Sequence, residues 1–344
     1  MPPAEYSRRL GPISAAQFQA ALDRFDLGRF VGATAVPFGL FGQNVFVTST
    51  AGEFVLRGAA HYDWQLPQER FVAGLLHERT AVPAPWPYLV DTDESVFGWR
   101  YGFAILPRLP GLQLADRAVL AALSGADRRE IAGALGANLR EVQRVQWRHA
   151  GRFDVATGEP RAFDGGFAGW IVGELRRWLR KSIASGTGAG EADADWAEGV
   201  IAAAADALRA PCTPVLVLHD YKEGNVTVER RGGAWAVSGV FDLMEAVFGD
   251  GELDLARQLA GYLEADDPTL APAFLAGYVR DRPLRPGARE RLALFLVYDR
   301  MIVWEYFHRP QHRPQWWYDA ATPREWIAPY LAKLDGLLLA AARE

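Results

Sequence analysis

The sequence predicts an α+β fold in two lobes, a small lobe of mixed antiparallel strands followed by a larger, mainly helical one. Three observations carry this. Apolar residues alternate between residues 44 and 58, whereas long stretches beyond Gly111 carry them at helical spacing. Prolines punctuate the passage from one regime to the other, in "VPAPWPYLV" and "WRYGFAILPRLPG". The length, 344 residues, exceeds what one small core needs, given about 100–200 residues per domain.

Taken in order, "ISAAQFQAALDRFDLG" has apolar spacing near 3.6 behind Ser14, a suitable N-cap, and predicts a leading helix. "FGLFGQNVFVTSTAGEFVLRGAA" alternates around Val45–Val47 and Phe54–Leu56 with Ala51-Gly52 between, which predicts a hairpin behind a glycine-containing loop. "PQERFVAGLLHER" predicts a helix from about Pro67. The N-terminal lobe is thereby drawn as 1–108, with its leading helix, and the C-terminal lobe as 109–344. In the latter, 116–149 and 166–183 are predicted helical, the second with Trp170, Leu175, Trp178 and Leu179 near one face. "SGTGAGEADAD" (185–195) is expected to be a surface loop, short strands are expected around 215–242, and "RERLALFLVYDRMIVWEYF" (289–307) is an aromatic-rich helix.

Composition narrows the function. Half the residues are hydrophobic and 23% are charged, ordinary for a globular chain. A net charge of -5 argues against a general nucleic-acid partner, which would need concentrated Lys and Arg, and leaves cationic ligands open. The single cysteine, Cys212, lies just before an apolar run and is expected to be a buried, inert thiol in a reducing compartment. "MPPAEYSRRLGPIS" has no apolar h-region and no run of about 18 uncharged apolar residues occurs, so a cytoplasmic protein without membrane partners is expected.

"VLHDYKEGNVTV" (217–228) breaks a β-branched run with Asp220 and Asn225, five positions apart, and returns at once to a strand. Gly232-Gly233 turns that strand into a second one ending near Asp242. A carboxylate at Asp220 is suited to accept a proton from a substrate hydroxyl, and Asn225 and Asp242 offer the hard oxygen ligands that Mg²⁺ prefers. Alone, such a D-x-x-x-x-N is more often a polar turn than a catalytic loop. Its setting in the chain, with a glycine loop, Arg57 on a strand, Glu69 on the next helix and a proline-flanked hinge ahead of it, is the order that phosphoryl transfer uses.

"LHDYKEGNV" and "GVFDLMEAVFGDGELDLA", in which Asp242, Gly249, Asp250, Asp254, Leu255 and Ala256 fall in step, resemble the H-G-D-x-x-x-x-N and I-D-W-x-x-x-x-x-G-D-P-x-x-D-L-A segments of the aminoglycoside phosphotransferase family. The resemblance runs from about Phe38 to about Ala260. It implies a bilobal protein-kinase-like fold with ATP or GTP between the lobes and Mg²⁺ held by Asn225 and Asp242. Asp220 would then be the catalytic base and Lys222, two positions on, the contact to the transferring phosphate. Arg57 stands where the family usually has Lys, with Glu69 as its partner. Adenine would be bound by the hinge at Pro107 and Leu109, with Leu106 guarding the back pocket, and "GLFGQN", including Asn44, would cover the phosphates. His219 stands directly before Asp220, one position later than the family's His, and is expected to be a buried histidine. Asp250 and Asp254 are expected to cap a helix and to bind backbone amides of the catalytic loop.

The acceptor implied is a small hydroxylated molecule, an aminoglycoside-type antibiotic first, with Asp299 and Glu305 facing its cationic groups and "HRPQHRPQWWYD" as a rim. A macrolide, an amino alcohol or a sugar is the competing acceptor. A catalytically silent nucleotide-binding relative and a structural interaction module are the alternatives from other classes.

Overall fold

The computed structural model describes residues 3–37, 41–280, 283–309 and 319–341. In chain order the elements are β1 (Ala4–Glu5), β2 (Pro12–Ile13), α1 (Ala15–Asp23), β3 (Phe30–Ala35), β4 (Asn44–Ser49), β5 (Gly52–Gly58), α2 (Gln65–Arg79), β6 (Leu89–Asp91), β7 (Phe103–Pro107), β8 (Leu112–Gln113), α3 (Arg117–Ala122) and α4 (Gly125–Val142). They continue with β9 (Gly151–Asp154), β10 (Glu159–Ala162), α5 (Gly166–Ala184), α6 (Glu191–Arg209), β11 (Val215–Val217), β12 (Val226–Arg231), β13 (Ala234–Val240), β14 (Val247–Gly249), α7 (Leu255–Glu264), α8 (Leu270–Val279), α9 (Ala288–Phe307) and α10 (Pro323–Ala341). The chain divides into two compact units. One takes Met1–Leu123, Phe153–Glu159 and Glu223–Ala246, the other Ser124–Arg152, Pro160–Lys222 and Val247–Glu344.

The first unit is organised by a five-stranded antiparallel sheet in the order β3-β4-β5-β7-β6. Alternation along β4 sends Val45 and Val47 inward, where they meet Leu56, Phe103 and Ile105 from the neighbouring strands and Phe18 and Leu22 of α1. The N-cap expected at Ser14 is present, and the structure extends it to a capping box: the Gln17 amide donates to Ser14 Oγ at 3.2 Å and the Ser14 amide to Gln17 Oε1 at 3.0 Å. Helix α2 starts two residues ahead of Pro67, which sits in the first turn where a missing N–H breaks no intrahelical bond. A second sheet, β13-β12-β8, is built on the hairpin turned by Gly232 and Gly233, whose φ angles of +60° and +89° favour glycine.

The second unit is mainly helical. Helices α4 and α8 approach backbone to backbone: a Cβ on Gly136 would lie 2.0 Å from the Phe274 carbonyl oxygen, and one on Gly277 would lie 2.1 Å from that of Gly133. Helix α9 is buried on nearly every face and packs against α5, α6, α7 and α10. Strands β11 and β14 pair antiparallel, Val215 opposite Gly249 and Val217 opposite Val247.

Three local expectations are corrected. Residues 143–149 are not helical, because α4 ends at Val142 and the chain turns to meet the strand region, the Trp147 amide donating to the Pro214 carbonyl. The acidic segment 185–195 is not all loop. Helix α6 begins at Glu191, with the Asp193 carboxylate accepting from the Gly190 amide at 2.9 Å, so the acids belong to a first turn that the helix dipole favours. Cys212 is exposed, because the buried apolar run starts only at Val215.

Candidate functional site

In the first unit the chemistry gathers around Arg57 on β5. The β4–β5 register sets Asn44 directly opposite Arg57, and Glu69 projects from the second turn of α2. Arg57 Nε and Nη2 donate to Glu69 Oε1 at 3.1 and 2.8 Å, Nη2 also donates to Asp242 Oδ1 at 3.0 Å, and Nη1 donates to Asn44 Oδ1 at 3.2 Å. The ion pair of Arg57 with Glu69 is therefore present, and a planar five-donor guanidinium makes it together with two further contacts, which a lysine ammonium would not reach in this geometry. Arg57 is 7% and Glu69 2% exposed. Burial by itself would lower the guanidinium pKa, but the carboxylates of Glu69 and Asp242 outweigh it and raise it. Burial raises the Glu69 carboxyl, with Arg57 opposing.

Two further groups around this pair are absent from the expectations drawn from the sequence. Tyr88 Oη donates to Glu69 Oε2 at 2.6 Å, and Gln65 Nε2 donates to Glu69 Oε1 at 3.3 Å. Gln65 is one helical turn before Glu69, so spacing signals it. Nothing local marks Tyr88, which comes from a proline-rich extended segment.

Asn225 and Asp242 lie at one end of the β12–β13 hairpin, Val226 being opposite Val240 and the Phe241 amide donating to the Asn225 carbonyl at 3.1 Å. Asp242 has φ +63°, a conformation held against its intrinsic cost. Its carboxylate lines a cavity of about 210 Å³ together with Arg57, Asn44, Gly42 and Ser7. Leu106 is buried in β7 and Pro107 ends it, opposite Phe54. Leu109 follows outside the strand, close against Gly239, where a Cβ would meet the Leu109 side chain at 2.8 Å. Of the loop "GLFGQN", Gly39 and Leu40 lie outside the described residues.

In the second unit, Asp220 follows β11. His219 has φ +67°, and the turn is held by Asp254, whose carboxylate accepts from the Leu218 amide at 2.8 Å and the His219 amide at 2.6 Å, as expected for that residue. Asp250 caps the short 3₁₀ turn Gly251–Asp254 through the Glu252 amide at 3.1 Å. Burial pushes the Asp254 carboxyl up to about 7, with the two amide bonds opposing and Asp220 adding to the rise. Lys222 Nζ donates to Asp220 Oδ2 at 2.5 Å, and Arg257 Nε stands 3.3 Å from Asp220 Oδ1. Arg257 was missed by the sequence reading, where a charge on a helix looks like a solvated face. Its signal is position, three residues after Asp254 and so on the same face of the helix.

His219 stacks on Tyr298 with ring centroids 5.4 Å apart, and burial with Arg257 and Arg152 nearby pushes its imidazole down to about 4 from the ordinary 6.5. The folded state thus refuses a proton that the unfolded chain accepts below about 6.5, and stability is drawn down as pH falls toward 4. Relative to the wild type, His219→Gln is expected to gain stability over that window, measured as the difference in thermal midpoint between pH 7 and pH 4.5. An unchanged difference would contradict the buried, neutral imidazole.

Asp299 and Glu305, expected from the sequence to face the acceptor, are held in internal ion pairs. Both are buried on α9, at 4% and 1% exposure. Asp299 is paired with Arg257 at 2.8 Å and Arg300 at 2.6 Å, and Glu305 with Lys181 at 3.4 Å and Arg309. Internal cations already neutralise both. Of the proposed rim "HRPQHRPQWWYD", residues 310–318 lie outside the described residues. Among the described residues no helix is long and apolar enough to cross a membrane.

A sequence model of the phosphotransferase enzyme family matches residues 33–295. No curated protein matches the sequence significantly. Among solved structures, the chain is similar in fold to the GDP and kanamycin complex of APH(2'')-IIIa, at 13% identity over 96% of this chain and 99% of that one, with a TM-score of 0.61. It is similar to the apoenzyme of a macrolide 2'-phosphotransferase from Brachybacterium faecium, at 18% identity over 91% and 97% of the two chains and a TM-score of 0.55. The ADP-bound aminoglycoside phosphotransferase APH(2'')-Ib aligns at 14% identity over 96% and 99%, with a TM-score of 0.57.

Proposed function

The chain belongs to the phosphotransferase enzyme family, and on that premise we propose that it moves the terminal phosphoryl group of ATP or GTP to a hydroxyl of a small molecule, with an aminoglycoside-type antibiotic as the leading acceptor. The observation that carries this reading is Asp242, held in a left-handed conformation beside the Asn225 segment while its carboxylate is tied to the buried Arg57–Glu69 pair. An acid fixed in this way is suited to a metal–phosphate site. GDP, ADP and kanamycin, named with the structural relatives, support a nucleotide donor and a hydroxylated acceptor.

The donor set fits Mg²⁺. Asn225 and Asp242 offer one amide and one carboxylate oxygen, the Asp242 side chain is 32% exposed, and the described residues contain no cluster of three or more His, Cys, Asp or Glu for a cage. Mg²⁺ suits such a sparse set, since it keeps waters and takes substrate phosphates as its remaining ligands. When bound it would neutralise charge on the β- and γ-phosphates.

The chain's own residues supply the rest. Arg57 would contact the donor phosphates, fixed by Glu69, while backbone groups at Pro107 and Leu109 would hold the base and Leu106 would wall it. Asp220 would orient the acceptor hydroxyl and take its proton as the new oxygen–phosphorus bond forms and the bond to the leaving diphosphate breaks. Lys222, exposed at 38% on a flexible stem, would swing its ammonium from its ion pair with Asp220 to contact the moving phosphoryl group. The internal pairing of Asp299 and Glu305 favours a second reading, an acceptor without multiple cationic groups, such as a macrolide or a sugar.

The test is a thermal-shift and nucleoside-diphosphate release screen with Mg-ATP and Mg-GTP across aminoglycosides, macrolides, amino alcohols and sugars. Mg-nucleotide is expected to raise the midpoint, by the equivalent of about 2.7 kcal/mol at a hundred times Kd, and EDTA to abolish the rise. Binding without turnover on any acceptor would leave a silent nucleotide-binding protein. No Mg-dependent shift would overturn the reading.

A further inference from the structure

Arg257 has no part in the reading above, yet its guanidinium lies between two acids. Its Nε is 3.3 Å from Asp220 Oδ1 and 2.8 Å from Asp299 Oδ1. The series continues with alternating sign, Asp299 to Arg300 at 2.6 Å and Arg300 to Glu264 at 3.5 Å. The side chains of Asp299 and Arg300 are each 6% exposed and that of Arg257 is 19% exposed. Buried ions in a row stabilise a fold no better than apolar side chains of the same volume. Stability alone therefore gives no reason for a charged chain that ends on Asp220.

We propose that Arg257, braced by Asp299, is the positioning residue for the Asp220 carboxylate; the inference rests on the kinase reading of Asp220. The first turn of α7 then acts twice on one loop. Asp254 fixes the backbone at Leu218 and His219, and Arg257, three residues on and on the same helix face, fixes the side chain. The two oxygens of Asp220 are divided between unlike cations. Oδ2 meets Lys222, whose side chain is 38% exposed; Oδ1 stands 3.3 Å from Arg257 Nε, which is 2.8 Å from Asp299 Oδ1, ion-pair contacts without hydrogen-bond geometry. When Lys222 leaves for the phosphoryl group, the direction of Asp220 depends on Arg257. Asp299, paired to Arg257 and Arg300, thus has a supporting role in this unit in place of the acceptor contact expected from the sequence.

The experiment is a steady-state comparison of wild type, Arg257→Met, Arg257→Lys and Asp299→Asn, each also in an Asp220→Asn background, with Mg-ATP or Mg-GTP and the acceptor that gives turnover. Arg257→Met is expected to lower kcat roughly 10–100-fold with the KM values for nucleotide and acceptor little changed, the range a misaligned catalytic group produces. Arg257→Lys should recover part of the loss and Asp299→Asn should show a smaller one. In the Asp220→Asn background the same changes should have little further effect. Thermal midpoints identify any variant that fails to fold, and Arg257→Lys, which keeps the charge, then carries the comparison. Equal losses with and without the Asp220 carboxylate, a change confined to KM, or an unchanged kcat would overturn the positioning role. A wild type without Mg-nucleotide turnover, or an Asp220→Ala variant as fast as the wild type, would overturn the kinase reading itself.

Discussion

Asp220→Ala is expected to lower kcat for acceptor phosphorylation by roughly 10²–10⁴-fold, the contribution of a positioned general base, while the KM for Mg-nucleotide changes little. The proposed nucleotide contacts, Arg57, Asn44 and Asp242, belong to the other compact unit and keep their mutual hydrogen bonds when Asp220 is truncated. Truncation leaves two cations behind, but neither is stranded. Lys222 is 38% exposed and returns to water, and Arg257 keeps Asp299 at 2.8 Å. The loss should therefore be one of rate, with the folded protein intact. In a phosphoryl transfer with a loose transition state the base does little before bond making is well advanced, so most of the loss comes from orientation of the hydroxyl. Steady-state kinetics with a thermal-midpoint control check this, and turnover at the wild-type rate would remove Asp220 from the mechanism.

The parts legible in the sequence are those set by local periodicity and by fixed spacings along the chain. The β4–β5 hairpin, the capped helix α1 and the double-glycine turn follow from alternation, a capping serine and positive φ, all interactions within a few residues. Asp254 was legible because its distance in sequence from Asp242 is part of a motif, and the structure places its carboxylate on the two amides before Asp220.

What was not legible depends on contacts between distant residues. Asp299 and Glu305 look available on α9, but that helix is buried almost all round, so periodicity gives no outward face and only the packing of Arg257, Arg300 and Lys181 shows the acids to be occupied. Tyr88 reaches Glu69 from 19 residues away in an extended segment without any pattern of its own. Cys212 was misplaced by three residues, the distance from it to the first buried valine, which is the ordinary error of a boundary read from sequence.

Glu69→Ala is expected to destabilise the protein by about 3 kcal/mol, the lower part of the range for removing one partner of a buried ion pair. The guanidinium of Arg57 cannot deprotonate to escape, and at 7% exposure it cannot reach water, so its Nε loses its acceptor outright. Tyr88, also buried, loses its partner at 2.6 Å. Asp242 stays 3.0 Å from Nη2 and keeps the charge from being wholly unpaired, which is why the upper part of the range is not expected. Glu69→Gln should cost less, since its amide oxygen still accepts from one donor. The double variant Arg57→Met/Glu69→Leu separates stability from function. Apolar groups of similar volume should restore part of the unfolding free energy, the rest staying lost with the acceptor of Tyr88 Oη, but they leave the Asp242 carboxylate without its guanidinium partner and the proposed phosphate contact missing, so activity should remain lost. Urea unfolding monitored beside Mg-nucleotide binding measures both quantities. A single Glu69→Ala variant within about 0.5 kcal/mol of the wild type, the range of ordinary surface substitutions, would mean that the buried pair does not hold Arg57 in place.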